Sequence, residues 1–456
     1  MIKTHPVFRS AAPFASFVAL TVALSFWSSI HITLLVAAGL LCLLLGSFLA
    51  DDRSRYWGNV TQGLGQPTAM TAVLLWLIVG VYGNILKEGH LVEGLVWASH
   101  RMVLTPSLFT LAVFLFSSVF AVSTGSGFGT INAMSLTLYP AGIALGADSA
   151  LLGGAILSGA ALGDSIAPVS DTAVIAATSQ EDDNGQSVMD IGSTVRHRLP
   201  FVFIAFIITA VAFLLSGHLN DAPARVGDTL PGERPEGLAL LLPTLAIIAL
   251  SLFRVHFFTS LAVGLALAIG IGLGLHLFSA DQLLCLIPGR VGGAVIDGIT
   301  NMADICILLM VVVALAQLLV TGGAMQYAVQ RLNDRNIHSP RRAELLIFCL
   351  VSLAGILIAA VNTIANICIA PFVNSIGRNH ALHPLRRTTI LATVICTFPF
   401  FLPYGGCVLL LQKGVAASGA GITLLPTDVF FTAFFPWILL VIMLIACLTG
   451  YRRNPS

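Results

Sequence analysis

Apolar runs separated by short polar punctuation dominate the chain. Stretches such as Leu34 to Leu45 and Phe203 to Leu215 carry no charge. With their flanks, several reach the roughly 20 residues that span a bilayer as helix. The pattern predicts spans near 14–30, 31–50, 67–84, 105–123, 128–147, 150–178, 199–216, 237–253, 257–277, 291–322, 343–361, 362–376, 389–412 and 428–449. None shows the sustained two-residue alternation of a strand, so the expected class is an all-α polytopic membrane protein. The pieces 128–147 and 362–376 are rich in Gly, Pro, Asn and Thr and read as half-helices or re-entrant hairpins. The segment 85–104, with Lys87, Glu88, His90, Glu93, His100 and Arg101, reads as interfacial.

Composition sharpens this. Of 456 residues, 57% are hydrophobic and only 9% charged, with mean hydropathy +0.94. A soluble domain carries roughly 25% charged residues, so a soluble enzyme is excluded and a lipid bilayer is the first partner. The net charge of +1 argues against nucleic acid. The eight cysteines form no CxxC pair and imply no metal or disulfide framework. The first apolar run lacks a convincing signal cleavage site. A GxxxxGK[ST] motif is absent from the sequence, so no ATP motor and no organic cofactor is expected.

Short loops carry Lys and Arg at Lys3 and Arg9, Arg53 and Arg55, Arg196 and Arg198, Arg254, Arg331 to Arg342, Arg378 to Arg387, and Arg452 with Arg453. Placing all of them in the cytoplasm gives fourteen crossings of an inner (plasma) membrane with both termini inside. On this placement no Lys or Arg stands at membrane depth. The histidines, His197 among them, are expected at span ends in contact with solvent.

The halves echo each other. Pro140 recurs as Pro371 and Pro168 as Pro399, both 231 positions on (371 − 140 and 399 − 168). Seven crossings separate matched spans, so the halves have opposite orientations, as in inverted-repeat transporters. The expected division is residues 1–216, a linker at 217–236 outside the membrane, and 237–456.

Candidate chemistry concentrates in Ser158 to Gln180, SGAALGDSIAPVSDTAVIAATSQ. Asp164, Ser165, Ser170, Asp171 and Thr172 stand where a membrane helix is expected, and Pro168 disfavours helix at Ala167. A carboxylate at membrane depth costs several kcal/mol unless it is paired, solvated or protonated. A break here offers hard oxygen ligands for Na⁺, and a carboxyl able to take H⁺ instead. The alternative is a surface loop with Asp171 as a helix cap. The matching TFPFFLPYGG, Thr397 to Gly406, has two prolines and no carboxylate, and is expected to supply carbonyls and shape.

Softer candidates for a substrate pathway are Thr130 and Asn132 in STGSGFGTIN, with Thr363 and Asn366 in the counterpart beside Asn362 and Asn374. Plain glycine-rich turns are the alternative. Asp297, Thr300, Asn301 and Asp304 share a helix face. Asn301 and Asp304 are pathway candidates, while Asp297 reads as an interfacial or capping residue, and Asp148 likewise marks a helix end.

Gly163 to Thr172, GDSIAPVSDT, resembles the GDxxSPLSDTT signature of the NhaC family of Na⁺/H⁺ antiporters, within the ion-transporter superfamily. Chain length, the glycine- and serine-rich segment upstream and the two-half layout are similar too. The resemblance implies exchange of Na⁺ for H⁺, with Asp164 and Asp171 as Na⁺ ligands, Ser165, Ser170 and Thr172 beside them, and Pro168 as the break. It implies alternatively Na⁺- or H⁺-coupled movement of a small organic acid or amino acid. A homodimer is expected by analogy. Ala167 and Ala173 depart from the signature where the family often has a serine and a second threonine, so two hydroxyl ligands are missing. A passive channel or a non-transporting scaffold is the remaining class.

Overall fold

The computed structural model describes residues 6–453, apart from 28–31, 92, 95, 96, 98–104, 168, 169, 182–190, 220–233, 254, 256, 288, 289, 324–338, 360, 361 and 419. Pro168, most of the expected linker and most of the basic stretch at 331–342 therefore lie outside the described residues, as does the Asp171 side chain.

The described chain is helical nearly throughout. In order it forms α1 (Pro6–Trp27), α2 (Ile32–Leu49), α3 (Arg53–Leu64), α4 (Pro67–Glu88), α5 (Pro106–Thr124), α6 (Gly127–Ala144), α7 (Ser149–Ile166), α8 (Asp171–Thr178) and α9 (Ile191–Leu219). A 3₁₀ turn (Pro235–Leu240) then leads into α10 (Leu241–Leu252), α11 (Phe257–Gly274) and the single turn α12 (Ala280–Leu283). After a small hairpin come α13 (Ala294–Thr321), α14 (Pro340–Leu357), α15 (Asn362–Asn379), α16 (Pro384–Ile395), α17 (Gly406–Ala417) and α18 (Phe434–Thr449).

The break expected between Asp164 and Asp171 is present: α7 ends at Ile166, and α8, which starts at Asp171, has only 8 residues; at 1.5 Å per residue α8 alone falls far short of a bilayer. Span 389–412 likewise divides between α16 and α17, at its two prolines. Helix α3 was not expected: it is short and polar, capped by Asp52, whose side chain accepts from Arg55 N at 3.1 Å. A two-stranded antiparallel hairpin, β1 (Cys285–Ile287) with β2 (Arg290–Gly292), also departs from the strand-free reading. By length and composition, five described helices qualify as bilayer spans, among them Ile32–Leu49, Ser149–Ile166 and Ala294–Thr321.

Shifted by 231 positions, α1, α2, α4, α5, α6, α7, α8 and α9 fall on α10, α11, α13, α14, α15, α16, α17 and α18. The pairings recur as well: α5 packs on α6, α7 and α9, and α14 packs on α15, α16 and α18. Matched helices run antiparallel where they meet. Cys306 Sγ on α13 reaches Val73 O on α4 at 3.8 Å, while a Cβ on Gly80 would strike Gly298 O at 2.6 Å. On the α9–α18 pair, the Phe213 and Phe434 ring centroids lie 4.8 Å apart, and His197 Nε2 lies 3.2 Å from Arg452 O just past α18.

The packing sorts these helices into two bundles. One holds α1 to α4 with α10 to α13, and the other holds α5 to α9 with α14 to α18. They meet chiefly where α4 lies on α6, α13 on α17 and α10 on α5, with a smaller contact of α13 on α15.

Charged groups sit deeper than expected. Arg198, Arg386 and Arg387 are buried, and Glu344, at 0% exposure, accepts from Arg386 Nε at 3.1 Å and Arg453 Nε at 3.0 Å. His197 is buried, 2.7 Å from Thr389 Oγ1. These groups sit in sequence that reads as interfacial; Glu344 of α14 meets Arg386 of α16, and His197 of α9 meets Thr389 of α16, so partners from other helices accompany their burial.

Candidate ion-binding site

Helix α7 is placed by small residues. A Cβ on Gly163 would lie 2.1 Å from Ala121 Cβ, and one on Gly159 would lie 2.7 Å from Phe114 O. These two glycines, four apart, let the α5 and α7 backbones touch, the usual route to tight helix contact in a membrane. Asp164 follows directly, in the last turn of α7.

There the helix stops. Ala167 is extended (φ −62°, ψ 124°), as is Ser170 (φ −66°, ψ 134°), and α8 starts at Asp171. Ser170 is the N-cap of α8, yet its side chain does not cap the helix. Its hydroxyl donates instead to Asp164 Oδ1 at 2.7 Å. With that proton committed, the 2.7 Å contact between Ser170 Oγ and Thr172 Oγ1 is donated by Thr172. Thr172 in turn accepts from Cys396 Sγ, at the C-cap of α16, at 3.3 Å. The groups form a directed chain, Cys396 to Thr172 to Ser170 to Asp164.

The start of α15 closes the site. Asn362 Nδ2 donates to Asp164 Oδ2 at 2.8 Å, and Asn366 Nδ2 donates to Thr172 O at 2.9 Å. Asn362 is 4% exposed and Asn366 0%, and the Oδ1 of each has no hydrogen-bond partner among the described residues. Buried amide oxygens are almost always satisfied. Two together beside a buried carboxylate form a patch of hard oxygen, the ligand type that suits a small cation. Arg198 on α9, 1% exposed, lies within electrostatic reach of Asp164 and Cys396.

The expected site residues thus separate. Asp164, Ser170, Thr172 and Asn366 converge. Ser165 is buried but turns its hydroxyl to Ala161 O at 2.7 Å, a bond within its own helix. Asp171 is placed by its backbone as the first residue of α8. Thr363 is buried at the start of α15. Thr130 bonds back to Ser126 O at 2.8 Å, and Asn132 lies against Met302, Nδ2 to Sδ 3.9 Å. Asn301 is half-buried on α13 near Asp304. Asp304 pairs with Lys413 Nζ of α17 at 2.5 Å, so a lysine does occupy the interior of an apolar helix, against expectation. Asn374 belongs elsewhere, accepting from Arg387 Nη1 at 2.8 Å and Glu181 N at 3.1 Å. Asp297 is exposed in the first turn of α13, and Asp148 caps α7 through Leu151 N at 2.8 Å.

Sequence reasoning left out the part played by Asn362 and missed Cys396, Arg198 and Lys413. The signal for Asn362 was present as a second asparagine one turn before Asn366. Arg198 read as a basic flank because it directly precedes the span expected at 199–216. Cys396 and Lys413 are single residues in apolar runs and gave no signal.

Residues 2–218, just under half of the chain, match the Na⁺/H⁺ antiporter family. Among curated relatives, the chain is similar to the malate-2H⁺/Na⁺-lactate antiporter of Bacillus subtilis (strain 168), 27% identical over 219 residues, 48% of this chain and 45% of that protein. It is similar to the Na⁺/H⁺ antiporter NhaC of Alkalihalophilus pseudofirmus, 25% identical over 243 residues, 52% and 50%. It is similar to the arginine/ornithine antiporter ArcD of Halobacterium salinarum, 25% identical over 246 residues, 51% and 46%. The chain spans about half the length of the curated relatives it matches.

Proposed function

From a first half that matches the Na⁺/H⁺ antiporter family, we propose that this protein is a secondary active transporter exchanging Na⁺ for H⁺ across the inner membrane, with Asp164 as the group both ions share. The observation that carries the reading is the buried Asp164 carboxylate at a helix break. Ser170 and Asn362 hold it, and the Asn362 and Asn366 carbonyl oxygens stand unpartnered nearby.

The residues suit the exchange. With Asp164 ionised, its two oxygens accept from Ser170 and Asn362, and the carboxylate charge, with Asn362 Oδ1 and Asn366 Oδ1 beside it, draws Na⁺ as cargo. A proton on Asp164 removes the charge that attracts Na⁺, so the two ions compete for one group. Arg198 offsets part of the carboxylate charge and so limits the cost of the state that carries neither ion. The start of α8 adds the partial positive charge of a helix N-terminus. Asp171, at that start, is the second expected Na⁺ ligand. Alternating exposure follows from one bundle moving against the other across the α4–α6 and α13–α17 contacts.

A second reading, exchange coupled to an organic solute, is favoured by the Asp304–Lys413 pair, which offers a cation where a bare Na⁺ path needs none. The names of the B. subtilis and H. salinarum relatives point the same way. Everted vesicles with a pH-sensitive dye test the first reading. Na⁺-dependent dequenching between about pH 6 and pH 9, lost in Asp164→Asn, is expected. Equal dequenching in the variant would end it.

A further inference from the structure

We infer that the seam between the bundles holds a second site, for a small zwitterion with an apolar body, an α-amino acid of which leucine is the probe. The inference rests on the coupled-transport reading above and names the solute that α13 and α17 would admit.

A groove open on one side lies in the seam. The first bundle lines it with Phe17, Trp76 and Leu308, and the second with Leu357, Tyr404 and Leu409. These walls are apolar. Three polar residues interrupt them: buried Thr21, Tyr404, whose hydroxyl donates to Ile356 O at 3.0 Å, and Trp76, 1% exposed, whose indole N–H has no hydrogen-bond partner among the described residues.

Charge lies beyond the lining residues. Leu308 and Asp304 are four residues apart on α13, and Leu409 and Lys413 four apart on α17, so each pair shares a helix face. One turn beyond the facing leucines stands the Lys413–Asp304 ion pair, with side chains 27% and 21% exposed. Trp76 is level with it. On α4, Val73 meets Cys306 and Gly80 meets Gly298 and Met302, which puts Trp76 beside the turn of α13 that carries Asp304.

Apolar walls, an ammonium, a carboxylate and an indole N–H at one level describe the complement of an amino acid with an apolar side chain. Its carboxylate would take Lys413 and the Trp76 N–H, its ammonium would take Asp304, and its side chain would lie along Leu308 and Leu409. A lone carboxylate would gain Lys413 but face Asp304, and an amine would meet the reverse. Both lose to a zwitterion, because an unmatched charge at low dielectric is costly. The groove is linked to the candidate ion site along the chain. Ala359 lines the groove, its carbonyl accepts from Gly406 N at 3.1 Å, and Asn362, which holds Asp164, follows three positions on.

The test is scintillation-proximity binding of labelled leucine to the purified full chain in Na⁺, with unlabelled competitors. Saturable binding is expected. Leucine and other apolar amino acids should displace the label, whereas 4-methylpentanoate and isoamylamine, each lacking one charge, should be at least about tenfold poorer. Lys413→Gln should weaken leucine binding by about tenfold or more, and Trp76→Phe by about threefold. Size-exclusion profiles and Na⁺-dependent thermal shifts establish that the variants are folded. Absent leucine binding, equal displacement by 4-methylpentanoate, or wild-type binding in folded Lys413→Gln overturns the inference. Dye dequenching on the same protein reports separately. Flux without leucine binding sinks this site and leaves the antiporter reading standing, and leucine binding without flux does the reverse.

Discussion

At the α7–α8 break the chain presents Asp164, Ser170 and Thr172. At the α16–α17 break, 231 positions on, stand Ile395, Phe401 and Pro403. The first break is a hydrogen-bonded polar cluster reaching α15. The second is filled with rings: Phe401 lies 4.2 Å from Trp437, 5.6 Å from Phe398 and 5.8 Å from Phe430, centroid to centroid. The repeat has the interruption of the helix in both halves and the polar cluster in one. A break therefore does not make a site. What makes one is a carboxylate with donors already aimed at it, and where those are absent, aromatic packing occupies the gap.

The sharpest way to break this comparison is Asp164→Asn. The amide keeps the shape and can still meet Ser170 and Asn362, but it holds neither a proton nor a formal charge. Na⁺-driven proton flux in everted vesicles should fall by about a hundredfold or more with expression unchanged. Next in size is Glu344→Gln, a carboxylate with the opposite employment. It binds Arg386 and Arg453 and touches no described residue of the ion site. Removing its charge leaves a buried guanidinium uncompensated, at a cost of about 3–5 kcal/mol. Thermal unfolding in detergent should show a large loss, with flux per folded molecule kept. The Arg453 end of this lock is insensitive to pH near neutrality. Hydrogen bonds to Glu344 raise the Arg453 pKa above its ordinary value. A pKa raised on folding stabilises at every pH below the unfolded value and fades only as pH climbs through the folded one. The Tm contribution of Arg453 should therefore be flat from about pH 6 to pH 9.

Phe401→Ala tests the second break directly. It empties a ring-lined space and should cost about 3 kcal/mol of stability. Flux per folded molecule should stay within about threefold, because Phe401 contributes packing and no ligand.

How much of this was legible beforehand follows from the range of the interactions. The helical class, the repeat offset and the carboxylate at a break are local or periodic properties, and hydropathy, two prolines and GDSIAPVSDT carried them. Asn362 and Cys396 reach the site across 198 and 224 positions, and no local pattern encodes such a contact. Arg198, Arg386 and His197 looked interfacial because a polar residue beside an apolar run reads as a flank. Their burial depends on partners such as Thr389 and Glu344 on other helices. Helix α3 escaped because a short polar helix lacks the apolar run on which the span reading depends.

The finest test compares Asn366 with its repeat equivalent, Ser135. Asn366 donates to Thr172 O at 2.9 Å and leaves its Oδ1 unpartnered at the ion site. Ser135 donates to Asn132 O at 3.1 Å, inside its own helix. Asn366→Ala removes a candidate Na⁺ oxygen and one tether on Thr172, so the apparent Na⁺ affinity should weaken by about tenfold, or about 1.4 kcal/mol. Ser135→Ala removes only a helix-internal bond and should leave Na⁺ affinity within about twofold. The Na⁺ concentration for half-maximal dequenching measures both. If Ser135→Ala weakened Na⁺ as much as Asn366→Ala, the second break would share in binding the ion, and the division of labour between the two interruptions would fall.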